Sequence, residues 1–164
     1  MKKIFLGVFL LFAAVSVQAQ KFGYVNSQEL LANLPEVKAA DKELENFQKA
    51  LVTKGQQMVG EFEVEYKKFM EEVNAGTLSK VQSQARETDL QKKQEEIQKY
   101  EVEVQEKLAA KRESLFKPIL DKVKMTITAY GKENGYTMIF DTSAGSLLHA
   151  EESDNLLQAI KAKL

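Results

Sequence analysis

The side chains that could do chemistry are few in this chain. His149 is its only histidine, and it has no cysteine. Asp141, Glu151 and Glu152 are the carboxylates that could sit near His149. A general base needs a nucleophile or a substrate position within hydrogen-bond reach. A metal needs several ligands at recognised spacings. Neither pattern surrounds His149, and no glycine-rich phosphate loop occurs, so neither a catalytic residue, a metal site nor a cofactor is expected. Without cysteine, disulfide staples and thiol chemistry are excluded.

The elements must therefore carry function by shape and surface. The chain opens with Lys2 and Lys3, an apolar run Ile4 to Val17, and Val17-Gln18-Ala19 with small residues at the −3 and −1 positions. That is the three-part form of a secretory signal, and cleavage is expected after Ala19. The run is shorter than the about 20 residues of a spanning helix. Removing residues 1–19 leaves 21 basic against 24 acidic residues. Nucleic-acid binding would need a basic excess, so that partner is excluded.

Lys21 to Asn26 reads as a strand. Asn26 and Glu29 have capping-box spacing and start a short helix, Ser27 to Asn33. Pro35 suits the first turn of the next helix. From Glu36 to Val73 the apolar residues Val37, Ala40, Leu44, Phe47, Leu51, Met58, Phe62, Tyr66, Phe69 and Val73 step by three, four or seven. That is one helical stripe. Ala40, Leu51, Phe62 and Val73 repeat every eleven residues, which predicts a nearly straight or weakly right-handed seam.

Asn74 to Thr77 breaks the pattern. Gly76 can close the helix, and Thr77 or Ser79 can cap the next. A second stripe then runs through Ile97, Tyr100, Val104, Leu108, Leu115, Ile119, Val123, Ile127 and Tyr130. Two helices of one period joined by a short turn should lie antiparallel, each leg about 55 Å long. Gly55 and Gly60 each cost about 1 kcal/mol against alanine in a helix and mark hinge candidates. Pro118 should kink the second leg where arm meets body.

After Asn134-Gly135 the expected elements are a strand Tyr136 to Phe140, a polar turn Asp141 to Ser146, and a strand Leu147 to Ala150. Ser153 should cap a last helix, Asp154 to Leu164. The fold class is α+β: a long antiparallel helical hairpin on a small β body. Residues 20–164 make a single domain, with 20–35 and 118–164 as body and 36–117 as arm. Such a body is too small to be stable alone, which predicts self-association.

GYVNSQELLANLPE (Gly23 to Glu36), the charged hairpin, PILDKV (Pro118 to Val123) and ENGYTMIFDTS with the following LLHAEES resemble the OmpH/Skp family of periplasmic chaperones. The resemblance implies a homotrimer in the periplasm. Strands of three subunits make a barrel, and three hairpins enclose a cavity that holds unfolded outer-membrane proteins without ATP. Val25, Ile139, Phe140 and Leu147 are then the expected oligomer interface. A holdase needs mobile, distributed apolar contacts, for which Met and Tyr are suited. Val59, Val64, Tyr66, Met70, Tyr100 and Val102 are the expected client-binding residues. Glu61 to Lys80 holds five acidic residues against three basic ones, so no lipopolysaccharide or membrane-surface site is carried over. Other classes consistent with long helices are an envelope spacer that binds folded partners and a lipid-surface binder.

Overall fold

The structure is a computed structural model, and it describes residues 20–164. The expected signal segment lies outside them. In chain order the elements are β1 (Lys21–Val25), α1 (Ser27–Ala32), α2 (Pro35–Asn74), α3 (Lys80–Glu133), β2 (Tyr136–Asp141), a 3-10 turn (Glu152–Asp154) and α4 (Leu157–Lys161). Two compact units form, residues 20–30 with Lys124–Leu164 and, separately, Leu31–Val123. The divisions fall at Leu30/Leu31 and Val123/Lys124, where the sequence suggested Pro35 and Pro118.

The first unit is built on a parallel pair, β1 beside β2, in the register Phe22↔Met138, Gly23↔Ile139, Tyr24↔Phe140 and Val25↔Asp141. Successive strand residues point to opposite faces. Gly23, Val25 and Ile139 therefore share one face, and Phe22, Tyr24, Met138 and Phe140 the other. The inner face meets a core of Val25, Leu30, Leu156, Leu157 and Ile160, all buried. Gly23 is required there: a Cβ would lie 2.6 Å from Leu156 Cδ1 and 2.9 Å from the Tyr136 ring. The Asn26 side chain accepts from the Glu29 N–H at 3.1 Å and caps α1. Asp141 ties the end of β2 to the start of α1, accepting from Ser27 N–H at 3.1 Å and from Ser27 Oγ at 2.6 Å. It also accepts from the Ser143 N–H at 3.0 Å.

Two expectations fail in this unit. Leu147 to Ala150 forms no strand. No strand of the described chain pairs with the segment, and Leu148 is 98% exposed. The last helix begins at Leu157, not Asp154, and Ser153 does not cap it. The Leu156 N–H donates to the Tyr24 carbonyl at 2.8 Å, and Tyr24 bridges Asn155. This ladder holds the backbone extended through Asn155, so the helix waits. Asn155 Oδ1 then accepts from the Leu157 N–H at 3.1 Å.

The second unit is the hairpin. Pro35 sits at the start of α2, as expected. At the other end Gly76 takes φ +64°. Thr77 N–H donates to the Glu72 carbonyl at 3.1 Å and Gly76 N–H to Val73 at 3.0 Å, the two bonds of a Schellman close. The Thr77 hydroxyl also returns to Glu72, at 3.0 Å, so capping the second leg falls to Ser79. Its Oγ accepts from Gln82 N–H at 3.3 Å while Gln82 Oε1 accepts from Ser79 N–H at 2.9 Å, a reciprocal capping box. Ala40, Leu51, Leu90, Tyr100 and Val123 are buried along the seam, and most other stripe residues are half-buried. The helix α3 runs unbroken through Pro118, which deprives the Ser114 carbonyl of its usual partner.

Candidate functional site

The hairpin is a two-helix layer, so its seam has two flanks. On one flank, acids of α2 meet bases of α3. Glu36 pairs with Lys122 at 2.9 Å, Glu43 with Lys111 at 2.5 Å, Glu72 with Arg86 at 3.7 Å, and Glu65 with Lys93. From the Glu65–Lys93 pair to the Glu72–Arg86 pair, both legs advance seven residues in opposite directions. From Glu36–Lys122 to Glu65–Lys93, both advance twenty-nine. The legs therefore keep one register along most of their length. The hydrogen bond from Lys122 holds the Glu36 carboxyl below its usual range, and that to Glu65 holds the Lys93 ammonium above its own. Exposed pairs add little stability; their contribution is to fix which residues face each other.

The other flank of α2 carries Val52, Val59, Tyr66 and Val73, spaced by seven, with Met70 one turn from Tyr66. Residues at this spacing lie along one side of a helix. All five are between 39% and 49% exposed. The Tyr66 ring stacks on Phe62 of the seam, with centroids 6.0 Å apart. Over 21 residues the row is about 32 Å long.

The residues expected to contact clients thus divide. Val59, Tyr66 and Met70 fall on this row. Val64, 70% exposed, and Val102, 61% exposed, stand alone on outward faces of α2 and α3. Tyr100 is a correction: it is 6% exposed and belongs to the seam. Its hydroxyl donates to the Leu51 carbonyl at 3.0 Å, and a Cβ on Gly55 would touch its ring at 3.4 Å. The ring, at once apolar and hydrogen-bonding, satisfies both needs at the seam. Val52 and Val73 were missed as exposed residues; the heptad spacing from Val52 to Val73 was the signal that could have found them.

In the first unit, the outer sheet face of Phe22, Tyr24, Met138 and Phe140 is largely uncovered. Beside it lies an apolar cleft of about 230 Å³, lined by Phe22, Gly23, Tyr24, Phe140, Leu147, His149, Ala150 and Asp154. Of the expected interface residues, Phe140 and Leu147 line this cleft. Val25 is 1% exposed within its own chain's core. Ile139 packs on Gly131 of α3, whose Cβ would lie 3.0 Å from Ile139 Cδ1. Within its own chain Val25 is thus a core residue and Ile139 a half-buried one. His149 is exposed, with Nε2 3.7 Å from Glu151 Oε1, and Asp141 is engaged by Ser27 and Ser143. Among the described residues no group of acids and histidine could hold a metal, and no helix is long and apolar enough to cross a membrane.

A long helical hairpin and a small two-strand sheet match the OmpH-like fold. The family described as outer membrane protein (OmpH-like) matches residues 21–164. The chain belongs to the OmpH-like family. A crystal structure of an OmpH-like outer membrane chaperone from Caulobacter crescentus superposes with a TM-score of 0.76 at 14% identity. The match covers 88% of this chain and 83% of that one. At that identity the likeness is one of fold. No curated protein matches the chain. The OmpH-like fold thus persists where few residues are shared, as expected when helix period and turn chemistry specify it.

Proposed function

We propose that this OmpH-like chain is an ATP-independent holdase of the periplasm, exported by a signal at residues 1–19. It binds unfolded outer-membrane proteins and keeps them from aggregating. The observation that carries the reading is the hairpin's exposed apolar surface. Large aliphatic and aromatic residues stand in water along a layer only two helices thick, which has no depth to bury them. Family membership and the description of the Caulobacter crescentus protein as a chaperone support it. Family membership supports a role in binding.

The working form is a homotrimer with hairpins around a cavity. Support comes from the uncovered aromatic face of the sheet, the unpaired outer edge of β2, and the cleft beside Leu147. Apolar surface and open edges of this kind are normally covered by another chain. The test is dilution of a urea-unfolded outer-membrane β-barrel protein into buffer, followed by light scattering. Suppression of scattering at a modest molar excess, without nucleotide, is expected. Unchanged scattering at every ratio would refute the reading.

A further inference from the structure

Outside the arm and the cleft, one junction of the first unit holds reactive chemistry. Asn134 and Gly135 join the end of α3 to β2, and both are exposed. An asparagine side-chain amide can be attacked at Cγ by the main-chain nitrogen of the next residue. The ring that forms has five members, so closure is easy, and glycine hinders it least because it has no Cβ. Six asparagines occur in the chain, and only Asn134 precedes a glycine.

The fold separates the six further, through the N–H that would have to attack. After Asn26 it is the Ser27 N–H, held by Asp141 Oδ1 at 3.1 Å. After Asn33 the Leu34 N–H donates to the Leu31 carbonyl at 3.0 Å, after Asn74 the Ala75 N–H to Glu71 at 3.0 Å, and after Asn155 the Leu156 N–H to Tyr24 at 2.8 Å. Asn46 lies inside α2, where the next N–H is bonded along the helix. The Gly135 N–H reaches the Lys132 carbonyl only at 3.4 Å, beyond the ordinary range for such a bond. The least crowded nitrogen is thus also the most loosely held.

A second group acts on the same peptide. Lys21 Nζ donates to the Asn134 carbonyl at 3.2 Å and is steadied 4.0 Å over the Tyr136 ring. That carbonyl belongs to the peptide whose nitrogen is that of Gly135. An ammonium on its oxygen stabilises the negative charge that appears when the nitrogen gives up its proton. Opposing this, Asn134 Nδ2 donates to the Tyr130 carbonyl at 2.9 Å. That bond lies at the exposed end of a helix, where fraying opens it, so it slows the reaction without preventing it.

The geometry points to Asn134-Gly135 as a self-modifying site, with Lys21 as the positioning residue that promotes it. The Gly135 nitrogen loses its proton and bonds to Asn134 Cγ. The Cγ–Nδ2 bond breaks, and Nδ2 takes up a proton and leaves as ammonia. Water then opens the cyclic imide at either carbonyl, so that an amide and water become a carboxylic acid and ammonia. One opening leaves an aspartate on the ordinary main chain. The other routes the main chain through Cγ and lengthens it by one carbon. Both remove the donor to Tyr130 and put a negative charge at the C-terminal end of α3, where it is unfavourable. The longer chain also disturbs the approach to Tyr136, which pairs with Lys21 at the start of the sheet. The aged protein is loosened where β1 meets β2.

The experiment holds the folded full chain in mildly alkaline buffer, digests it and maps the peptides by mass spectrometry. A methyltransferase that labels iso-aspartate gives a second readout. Conversion should be concentrated at position 134. Asn134→Gln keeps an amide and Gly135 but forces a larger ring, and should abolish it. Lys21 is exposed, so its variants should fold. Lys21→Met should slow conversion by about threefold or more, through loss of a charge-assisted hydrogen bond, and Lys21→Arg should keep the original rate. In urea all three forms should convert alike, because position 21 is then remote. Amide hydrogen exchange in β1 and β2 should be faster after conversion than before. Conversion spread evenly over the asparagines, or seen at Asn134 in the unfolded chain only, would overturn the proposal. So would equal rates in the folded unaltered and Lys21→Met proteins, or unchanged exchange after conversion.

Discussion

The small β unit and the hairpin are held by different means. In the β unit, residues far apart in the chain meet: Val25, Leu30 and Ile160 are almost wholly removed from water, and Asp141 reaches back to Ser27. In the hairpin the buried stripe is thin, and most seam residues are only half covered. Its order comes from helix propensity, a capped turn and a ladder of exposed ion pairs. A deep core fixes one arrangement, whereas a shallow seam leaves apolar surface exposed along its length. The comparison teaches that the hairpin gives up burial where the β unit cannot.

The sharpest way to break the contrast is to cut each region by the same kind of change. Ile160→Ala should cost about 2–5 kcal/mol, the range for emptying a fully buried aliphatic site. Removing an exposed row residue, as in Val59→Ala, should change stability by no more than about 0.5 kcal/mol. Urea denaturation followed by circular dichroism measures both. Similar losses would show that the seam is as deep as the core.

The second test uses pH. Partial burial works to raise the Asp141 carboxyl, but hydrogen bonds from Ser27 and Ser143 outweigh it and hold its pKa below the ordinary 3.8. A depressed carboxyl stabilises the folded state above its unfolded value, and that contribution is lost as pH falls through the folded value. Asp141→Asn should therefore cost about 1 kcal/mol at neutral pH, discounted for its exposure. It should also flatten the loss of stability on acidification below about pH 4. An acid limb as steep as that of the unaltered protein would assign the loss to other groups.

Much of the hairpin was legible because its causes are local. The stripe from Val37 to Val73, the Gly76 close and the Ser79 start each depend on residues within a few positions of one another. Tyr100 was misread because its burial depends on the facing leg. Only the register set by the ion pairs brings it to Leu51 and Gly55. The Val52 row was missed because the seam stripe explains most apolar residues first, and Val73 fits either series. In the β unit the strand at Leu147 and the early start of α4 were wrong for one reason. Local patterns favoured both, but the Tyr24–Leu156 hydrogen bond and the lack of a strand neighbour are long-range facts. Strand membership alone marked Val25 and Ile139 as interface candidates. Which face each takes follows from the β1–β2 register, and that register spans more than a hundred residues of chain.

Within the hairpin itself, Tyr100→Phe separates the two properties of that side chain. The ring stays and the hydroxyl goes. The Leu51 carbonyl keeps its intrahelical position, so the loss should be about 0.5–1.5 kcal/mol. Urea denaturation measures it. A loss near that of Ile160→Ala would mean the hydroxyl organises the seam and does more than finish it.

The smallest effect concerns the glycines proposed as soft points in α2. A Cβ at Gly60 would meet no atom within 4 Å, and one at Gly55 would make ordinary contact with Tyr100. Neither glycine is needed for packing, and neither has a positive φ. Gly60→Ala should therefore stabilise α2 by up to about 1 kcal/mol, through helix propensity alone. Amide hydrogen exchange should slow for residues around position 60 and stay unchanged near Gly76. If the proposed holdase function holds and these glycines give the arm its flexibility, the double variant Gly55→Ala with Gly60→Ala should hold small unfolded clients as well as before and large ones less well. Its stiffer legs would adapt less to volume. Equal capture of small and large clients by the double variant would remove any hinge role from both positions and leave them as a simple loss of helix stability.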